Sequence, residues 1–202
     1  MQGHRSLLDS DKANLERVNF MIVDDNLMSL DIIASSISSF GVRNIIKCGS
    51  AREARTVLQK TTIDYLITDA EMPEEDGYSL IRWIRREGSE ANRQVPIVLV
   101  TGHTRQSKVL LGRDCGAHFT VAKPLTPKVL LERIFWVARS SRGFVDCEAY
   151  CGPDRRFKRL GPPFGTDGRR AEDANGALGG PVEANLSQDE IDSFMKPAKV
   201  AL

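Results

Sequence analysis

Three carboxylates and one lysine stand at the ends of short apolar runs in this 202-residue chain. Asp69 ends one run and opens a loop with Pro and Gly, Asp24 and Asp25 end an earlier run, and Lys123 ends a later one. Carboxylates held close together repel one another, so they need a cation at neutral pH, and hard oxygen ligands favour Mg²⁺. A carboxylate nucleophile beside such a cation suits phosphoryl transfer. The residues therefore predict a site that binds Mg²⁺ and handles phosphate.

Each side chain has an expected role in that chemistry. Asp69 would be the nucleophile that forms an acyl phosphate. Lys123 would act as a point charge on one phosphoryl oxygen, and the Thr101 hydroxyl would donate to another. Alone, each residue could be a helix cap, a turn residue or a surface lysine, but together they end the first, third, fourth and fifth predicted strands. The predicted metal ligands are Asp24, Asp25, Asp69 and the backbone carbonyl of Glu71.

Five short apolar runs alternate with five amphipathic segments from about residue 18 to 138. The runs are rich in Val and Ile and nearly continuous in apolar character, as is typical of strands buried on both faces. This alternation predicts an α/β domain with a parallel sheet and helices on both faces. The predicted strands are Val18–Val23, Ile45–Cys48, Tyr65–Thr68, Pro96–Thr101 and His118–Ala122, and the predicted helices are 27–40, 50–60, 77–88, 104–115 and 126–138. In such sheets, ligands bind beyond the carboxyl ends of the strands.

The bulk composition excludes several classes of protein. Lys and Arg number 28 against 27 Asp and Glu, a net charge of +1, so no global attraction to nucleic acid or membrane is expected. The sequence shows neither an apolar stretch near 18 residues nor a signal-peptide pattern, which favours a soluble cytoplasmic protein. Cys147 and Cys151 lack a second Cys or His pair, so the four cysteines are expected to be reduced thiols.

Four segments together resemble the receiver domain of bacterial two-component response regulators: Val23–Asn26, Thr68–Gly77, Val100–Gly102 and Ala122–Leu125. The resemblance covers about residues 17–138. It implies a flavodoxin-like, doubly wound, five-stranded sheet of order 2-1-3-4-5, with phosphate taken from a histidine kinase or phosphotransfer protein. It also implies that Asp69 is the phosphoacceptor, that Asp24 and Asp25 hold Mg²⁺, and that Thr101 and Lys123 sense the phosphoryl group. Their movement would reposition the face made by helix 4, strand 5 and helix 5.

Two positions depart from the common receiver pattern. The residue three before the lysine, often an aromatic switch in receivers, is Thr120 here. Glu71 and His103, two residues past Asp69 and Thr101, flank the route of an attacking water. We expect the Glu71 carboxylate to alter hydrolysis of the acyl phosphate, whereas His103 could equally be a solvated loop residue.

Residues 139–202 form a tail of different composition. These 64 residues hold eight of the 16 glycines and five of the nine prolines, and such a segment buries too little apolar surface to offset its ordering entropy. We expect a largely disordered tail after a receiver domain at 17–138 and an N-terminal extension at 1–16. The tail is too short and polar for a DNA-binding output domain. Arg155 and Arg159 have the Arg-x-x-x-Arg spacing seen where cyclic dinucleotides bind, although no barrel-like strand pattern accompanies them.

One tail segment, Leu186–Met195, has helix signals. Ser187 and Glu190 form a capping box, and Ile191, Phe194 and Met195 fall on one helical face, so a short helix near 187–195 is predicted. Such a helix would be marginal alone and would fold against a partner. The segment resembles the N-terminal peptide of the flagellar motor switch protein, Leu-Ser-Gln-x-Glu-Ile-Asp, which docks on the helix 4, strand 5 and helix 5 face of chemotaxis receivers. Three interpretations of the segment stay open: it docks on its own receiver, it docks on another receiver, or it is a capped helix that resembles the peptide by coincidence.

The sequence therefore favours a stand-alone receiver that signals through protein contacts and is not an enzyme beyond self-catalysed phosphorylation and dephosphorylation of its own aspartate. Three alternatives stay open: a phosphorelay intermediate that returns phosphate to a histidine phosphotransfer protein, a cyclic-dinucleotide-responsive adaptor acting through the arginine-rich tail, and an unphosphorylated binding module.

Overall fold

A single five-stranded parallel sheet organises the receiver part of the chain. The computed structural model describes residues 15–139, 143–155 and 185–195. The strands run in the order β2-β1-β3-β4-β5, which confirms the predicted order and the flavodoxin-like class. Their bounds are β1 Asn19–Val23, β2 Asn44–Cys48, β3 Tyr65–Asp69, β4 Ile97–Thr101 and β5 Phe119–Ala122.

Seven helices lie in the described residues, and none of them is long and apolar enough to cross a membrane. Their bounds are α1 Leu27–Ser39, α2 Ala51–Leu58, α3 Gly77–Glu87, α4 Glu90–Arg93, α5 Gln106–Asp114, α6 Pro127–Arg139 and α7 Gln188–Met195. The four-residue helix α4 was not predicted. The predicted fourth and fifth receiver helices are therefore α5 and α6, and the surface that they form with β5 is called the α5–β5–α6 face.

Two apolar layers hold the sheet because each strand alternates its side chains between the faces. Phe20 and Ile22 of β1 point into one layer with residues of α1 and α6, whereas Met21 and Val23 point into the other with residues of α2 and α3. All four side chains are fully buried. A sheet covered on both faces leaves the carboxyl ends of its strands as the accessible edge for a ligand.

Sequence signals at the helix ends agree with the structure. The Ser50 hydroxyl accepts a hydrogen bond from the Glu53 N–H at 3.2 Å, as predicted for the cap of α2. Gly41 and Gly116 have φ of +92° and +100° just past α1 and α5, the left-handed conformation that glycine adopts readily. Thr126 caps α6 through its hydroxyl, which accepts from the Val129 N–H at 3.3 Å.

A β-hairpin follows the receiver in the part of the tail for which no regular structure was predicted. Strand β6, Phe144–Cys147, pairs antiparallel with β7, Tyr150–Pro153. Arg86 of α3 donates to the carbonyls of Cys147 and Glu148 at 2.8 and 2.7 Å, and Arg93 is ion-paired with Asp146 at 2.5 Å. Contacts with the receiver surface hold the hairpin in place. The amino-acid composition of the hairpin does not reveal these contacts, so the hairpin was not predicted.

The hairpin covers Arg85, a guanidinium that is 1% exposed. Arg85 donates two hydrogen bonds to the Gly116 carbonyl, at 3.1 and 3.0 Å, and one to the Arg93 carbonyl at 2.6 Å. The Cys151 thiol donates to the Arg85 carbonyl at 3.1 Å. Burial lowers the pKa of Arg85 to about 10, so this side chain stays charged at neutral pH. Hydrogen bonds to helix-terminal carbonyls stabilise its charge.

Candidate phosphoacceptor site

Three carboxylates converge at the carboxyl ends of β1 and β3. Oxygen atoms from Asp24, Asp25 and Asp69 all lie within 4.8 Å of one another. Neighbouring parallel strands place them there, because Val23 pairs in register with Thr68. Asp24 and Asp25 follow Val23, and Asp69 follows Thr68. Asp24 and Asp69 are buried, whereas Asp25 is exposed. The predicted acid cluster is therefore present, with one of its members open to solvent.

Lys123 completes the cluster from the end of β5. Its Nζ lies 2.8 Å from Asp69 Oδ1 and 3.3 Å from Asp24 Oδ2. Burial works to lower the pKa of Lys123, but the hydrogen bond and charge of Asp69, together with Asp24, outweigh burial and raise it. The lysine is thus a positive charge at neutral pH, placed directly against Asp69 Oδ1.

Asp69 is held rigidly in a setting that disfavours its charge. Its side chain is 6% exposed, and Oδ2 accepts a hydrogen bond from the Glu71 N–H at 3.3 Å. Burial raises the pKa of Asp69 above its usual range, with the Lys123 hydrogen bond acting in the opposite direction. A further positive charge beside the three acids would stabilise the ionised form that a nucleophile requires.

The donor set fits a hard divalent cation. Three carboxylates within 4.8 Å of one another carry more negative charge than Lys123 alone can offset, and carboxylate oxygens with an exposed member that admits water match the ligands of Mg²⁺. Receiver domains typically bind Mg²⁺ at such an acidic cluster. The Glu71 carbonyl belongs to the loop directly after Asp69, and its part in the ligand set stays a prediction.

Thr101 lies at the carboxyl end of β4, and its hydroxyl is hydrogen-bonded to the backbone of His103. The side chain is fully buried. Its Oγ1 accepts from the His103 N–H at 3.0 Å and donates to the His103 carbonyl at 3.2 Å. The hydroxyl would have to exchange these bonds to donate to a phosphoryl oxygen. The predicted position of Thr101 is thus found, whereas its predicted role stays a prediction.

A close contact between His103 and Glu71 joins the two loops that border the site. His103 Nδ1 lies 2.7 Å from Glu71 Oε1, and both side chains are partly exposed, at 56% and 43%. The Glu71 carboxylate therefore faces His103. Both residues were predicted to flank the route of an attacking water, but their contact with each other was not predicted. The available signal for it was that each lies two residues past a predicted site residue, Asp69 or Thr101.

The switch position holds a small side chain packed inside the fold. Thr120 of β5 is fully buried, and a Cβ placed on Gly112 of α5 would lie 2.5 Å from its hydroxyl oxygen. Gly112 thus makes the room that Thr120 occupies. This position therefore holds a small, enclosed side chain in place of the aromatic ring often found there in receivers.

The predicted tail helix lies against its own receiver. Helix α7 packs along β5 and α5, and Ile191 and Met195 belong to the same apolar core as Phe119 of β5. Phe194, the third predicted apolar residue, has a side chain outside the described set. The predicted capping box is present, because the Ser187 N–H donates to Glu190 Oε2 at 2.7 Å.

The arginine motif of the tail is partly described. Arg155 is ion-paired with Asp114 at 2.6 Å, and its guanidinium lies 3.7 Å from the centre of the Tyr150 ring. These contacts engage Arg155 in the hairpin and the end of α5, whereas residues 156–184, including Arg159, lie outside the described residues. The nucleotide-binding interpretation gains no support from Arg155.

Comparison with known proteins decides the family. The family model for the response regulator receiver domain matches residues 20–135. The chain belongs to this family. Its receiver domain therefore places it among two-component signalling proteins, which interact with histidine kinases or phosphotransfer proteins and are generally not classical enzymes.

Chemotaxis receivers are among the similar proteins. Chemotaxis protein CheY of Pseudomonas aeruginosa is 28% identical over 117 residues, which cover 58% of this chain and 93% of that protein. A CheY homolog of Campylobacter jejuni is 29% identical over 118 residues, or 58% and 89% of the two chains. The crystal structure of a response regulator receiver protein from Pseudomonas putida is 30% identical, with a TM-score of 0.54, covering 59% of this chain and 97% of that one.

Proposed function

We propose that this receiver accepts a phosphoryl group on Asp69 from a histidine kinase or a histidine phosphotransfer protein and signals through protein contacts of the α5–β5–α6 face. The observation that carries the proposal is the 2.8 Å contact of Lys123 Nζ with Asp69 Oδ1 inside a cluster of three carboxylates. The cluster would hold Mg²⁺, which supplies charge neutralisation on the phosphoryl oxygens when it is bound.

In the forward reaction, an Asp69 carboxylate oxygen attacks the phosphorus of a phosphohistidine. The new oxygen–phosphorus bond forms as the nitrogen–phosphorus bond breaks, and the imidazole leaves with the bonding pair. Lys123 stays against the phosphoryl oxygens and offsets their charge. In the reverse direction of signalling, water attacks the phosphorus and releases inorganic phosphate, which restores the Asp69 carboxylate.

The start of α1 offers a surface for the phosphate donor. Leu27, Met28 and Ile32 are 73%, 72% and 56% exposed, and α1 begins directly after the acid pair, with Asn26 as its cap. Exposed apolar side chains in one patch mark protein contact surfaces. We place the histidine-containing partner here because a donor bound on α1 would lie beside the entrance to Asp69.

Phosphorylation would be relayed to the α5–β5–α6 face through the two segments that carry Thr101 and Lys123. Thr101 stands at the start of the loop that leads to α5, and Lys123 directly follows β5. Movement of both side chains toward a phosphoryl group would shift the ends of these elements. A downstream protein bound to the face would sense that shift.

A test of the proposal is the dependence of phosphorylation on a divalent cation. With acetyl phosphate and Mg²⁺, we expect the full chain to gain one phosphoryl group, detected by intact mass. Chelation with EDTA should reduce the initial rate by about two orders of magnitude or more, because the three acids would then repel the incoming phosphate. Equal rates with and without EDTA would contradict the predicted metal site.

A second candidate function is a phosphorelay intermediate that passes phosphate from Asp69 back to a histidine protein. The exposed apolar start of α1 supports a relay function as well, since one docking surface would serve phosphate transfer in both directions. Incubating the phosphorylated receiver with a histidine phosphotransfer protein distinguishes the two: rapid appearance of phosphohistidine supports the relay, whereas release of inorganic phosphate alone supports a terminal receiver.

The Glu71–His103 contact is expected to slow hydrolysis of the acyl phosphate. The pair spans the two loops beside Asp69, so it restricts the approach of water. In Glu71→Asn, which removes the carboxylate but keeps a polar side chain, we expect dephosphorylation to be about two- to tenfold faster, a change of up to about 1.4 kcal/mol in the barrier. His103→Asn should give a similar increase.

The measurement is the decay of phosphorylated protein after the donor is removed. Glu74→Asn serves as a matched control, since Glu74 lies in the same loop without a described contact to His103. Unchanged decay in Glu71→Asn would refute the role of the Glu71–His103 contact.

A further inference from the structure

We propose that Asn185–Met195 is a built-in ligand of the α5–β5–α6 face, held there in competition with a short amphipathic helix from a partner protein. The inference deepens the proposed function by naming the chemistry of the downstream partner. It rests on the proposed function only in taking the α5–β5–α6 face as the surface that binds the downstream protein. The competition between α7 and a partner helix does not itself require phosphorylation.

The side-chain amide of Gln188 pairs with the open edge of the sheet. Strand β5 is an edge strand, so half of its backbone groups lack a neighbouring strand. Gln188 Oε1 accepts from the Ala122 N–H at 2.8 Å, and Gln188 Nε2 donates to the Thr120 carbonyl at 3.3 Å. One side-chain amide thus bonds residues two apart, as the N–H and C=O of one residue in a parallel neighbouring strand would. The Gln188 side chain therefore satisfies two open backbone groups of edge strand β5.

The segment enters the face through backbone contacts with the β4–α5 loop. The Leu186 N–H donates to the Thr104 carbonyl at 2.8 Å, and Asn185 forms an isolated antiparallel bridge with Arg105. Leu186 itself packs against the core. The start of the segment is therefore anchored three residues from Thr101, and Gln188 is anchored one residue from Lys123.

A buried ion pair fixes the helix against α6. Asp192 is ion-paired with Arg133, and their side chains are 9% and 13% exposed. Asp192 Oδ1 also accepts from Gln188 Nε2 at 2.8 Å, and the Arg133 guanidinium lies 4.7 Å from the centre of the Phe119 ring. A helix that covered Arg133 without placing a carboxylate opposite it would leave a partly enclosed cation on an apolar surface, which is costly. An occupant of the face therefore needs an acidic group at this point.

Two apolar side chains complete the contact. Ile191 is fully buried and Met195 is 4% exposed, and both join the main core beside Phe119 and Ile134. If α7 left the face, this part of the core would open to solvent. Burial of apolar surface contributes about 25 cal/mol per Å², so an outside helix that supplied equivalent side chains would replace α7 on the vacated face.

These contacts define what an outside partner must present. It needs a leucine and, two residues later, a glutamine, as at Leu186 and Gln188. An isoleucine and an aspartate must follow three and four residues after the glutamine, and a flexible apolar side chain three residues after the aspartate. In the receiver, Arg133 binds the aspartate, the apolar core contacts the apolar side chains, and the backbone of β5 binds the glutamine. The partner is thus a protein helix with an amide and an acid on its contact face.

The built-in ligand is suited to displacement. Helix α7 has eight residues, too few for stable helix formation in isolation, and Ser193 and the capping residues lie on its exposed side. Because α7 and the face are in one chain, the local concentration of the helix is on the order of millimolar. A partner helix must compete with this local concentration of α7, so α7 lowers the apparent affinity of the face for the partner.

The test uses a fluorescent peptide of residues 183–202 added to the full chain without a phosphate donor. Ile191→Asp places a charge in the apolar contact and should release α7 from the face. We expect this variant to bind the peptide about 10- to 100-fold more tightly than the unmodified chain, measured by fluorescence anisotropy. The same peptide carrying Gln188→Ala should bind Ile191→Asp at least about fivefold more weakly.

Ser193→Asp is the matched control, because it adds the same charge on the exposed side of α7 and should bind the peptide as the unmodified chain does. Gln188→Ala in the full chain provides a second release variant that leaves the apolar contact intact, should Ile191→Asp fail to fold. Equal affinities for the unmodified chain and both release variants, including no binding to any of them, would overturn the inference. So would an equal gain in Ser193→Asp.

Dilution separates docking within one chain from exchange between copies. Weak peptide binding by the unmodified chain should not depend on its concentration; a gain in affinity on dilution would assign α7 to a second copy and overturn the intramolecular arrangement. Acetyl phosphate labelling of the same variants keeps the two proposals distinguishable. Variants that label normally but show no difference in peptide binding refute the built-in ligand alone, whereas absent labelling refutes the proposed function alone.

Discussion

Replacing Asp69 with Asn is expected to abolish acyl-phosphate formation. Asn keeps the shape of the side chain and can accept the Glu71 N–H hydrogen bond, but its amide is not a nucleophile at phosphorus. We expect the rate of labelling by acetyl phosphate and Mg²⁺ to fall by about three orders of magnitude or more, as for loss of a nucleophile in other covalent mechanisms. Incorporation of phosphoryl groups, followed by intact mass, measures the loss.

Asp64→Asn is a matched control for this substitution. Asp64 precedes the same strand, β3, at its opposite end, where its carboxylate accepts from the Asn19 N–H at 2.8 Å. The control should label at close to the rate of the unmodified chain. Labelling of Asp69→Asn at a comparable rate would show that another residue accepts the phosphoryl group and would contradict the assignment.

Replacing Gly77 with Ala is expected to damage both the fold and the site. A Cβ on Gly77 would lie 2.0 Å from the backbone oxygen of Asp69 and 3.1 Å from the Cα of Ala70. Because these are backbone atoms, the start of α3 and the end of β3 would have to move apart. We expect the free energy of unfolding to fall by about 1–3 kcal/mol and the labelling rate to fall by about 10- to 100-fold, because Asp69 would be displaced from Lys123.

Gly102→Ala provides the comparison for stability. A Cβ on Gly102 meets nothing within 4 Å, so its free energy of unfolding should change by less than about 0.5 kcal/mol. Denaturant titrations of both variants measure the difference. Equal unfolding free energies would mean that the β3–α3 loop yields to a methyl group, which would contradict the close packing of α3 against the Asp69 backbone.

The site could be predicted from the sequence because its geometry follows from topology. Parallel strands end at the same edge of the sheet, so acids that end different strands must approach one another. This reasoning placed Asp24, Asp25, Asp69 and Lys123 together, as the structure has them. It did not fix the orientation of the Thr101 hydroxyl, since rotation about one side-chain bond exchanges its partners without changing the backbone.

The hairpin and the burial of Arg85 lay beyond sequence reasoning. Arg85 and Arg86 are adjacent in α3 and both have the composition of an exposed helical surface. Only Arg86 remains partly exposed, because β7 packs over Arg85 from about 65 residues further along the chain. Contacts of such sequence separation leave no periodic signal. The hairpin was therefore hidden in a segment whose local composition indicates little structure.

Helix α7 shows how far local signals reach. The capping box of Ser187 and Glu190 and the spacing of Ile191 and Met195 were sufficient to predict a short helix. The role of Gln188 was not predictable, because it depends on the open backbone groups of edge strand β5. A polar side chain that bonds a sheet edge has the same local sequence as one that faces solvent.

Mapping of the phosphorylated residue tests whether Asp69 is the phosphoacceptor. The full chain is labelled with acetyl phosphate and Mg²⁺, the acyl phosphate is reduced with borohydride, and the peptides are sequenced by mass spectrometry. We expect that Asp69 alone is converted to homoserine. Conversion of a different residue, or of none under conditions in which the chain is folded, would contradict it.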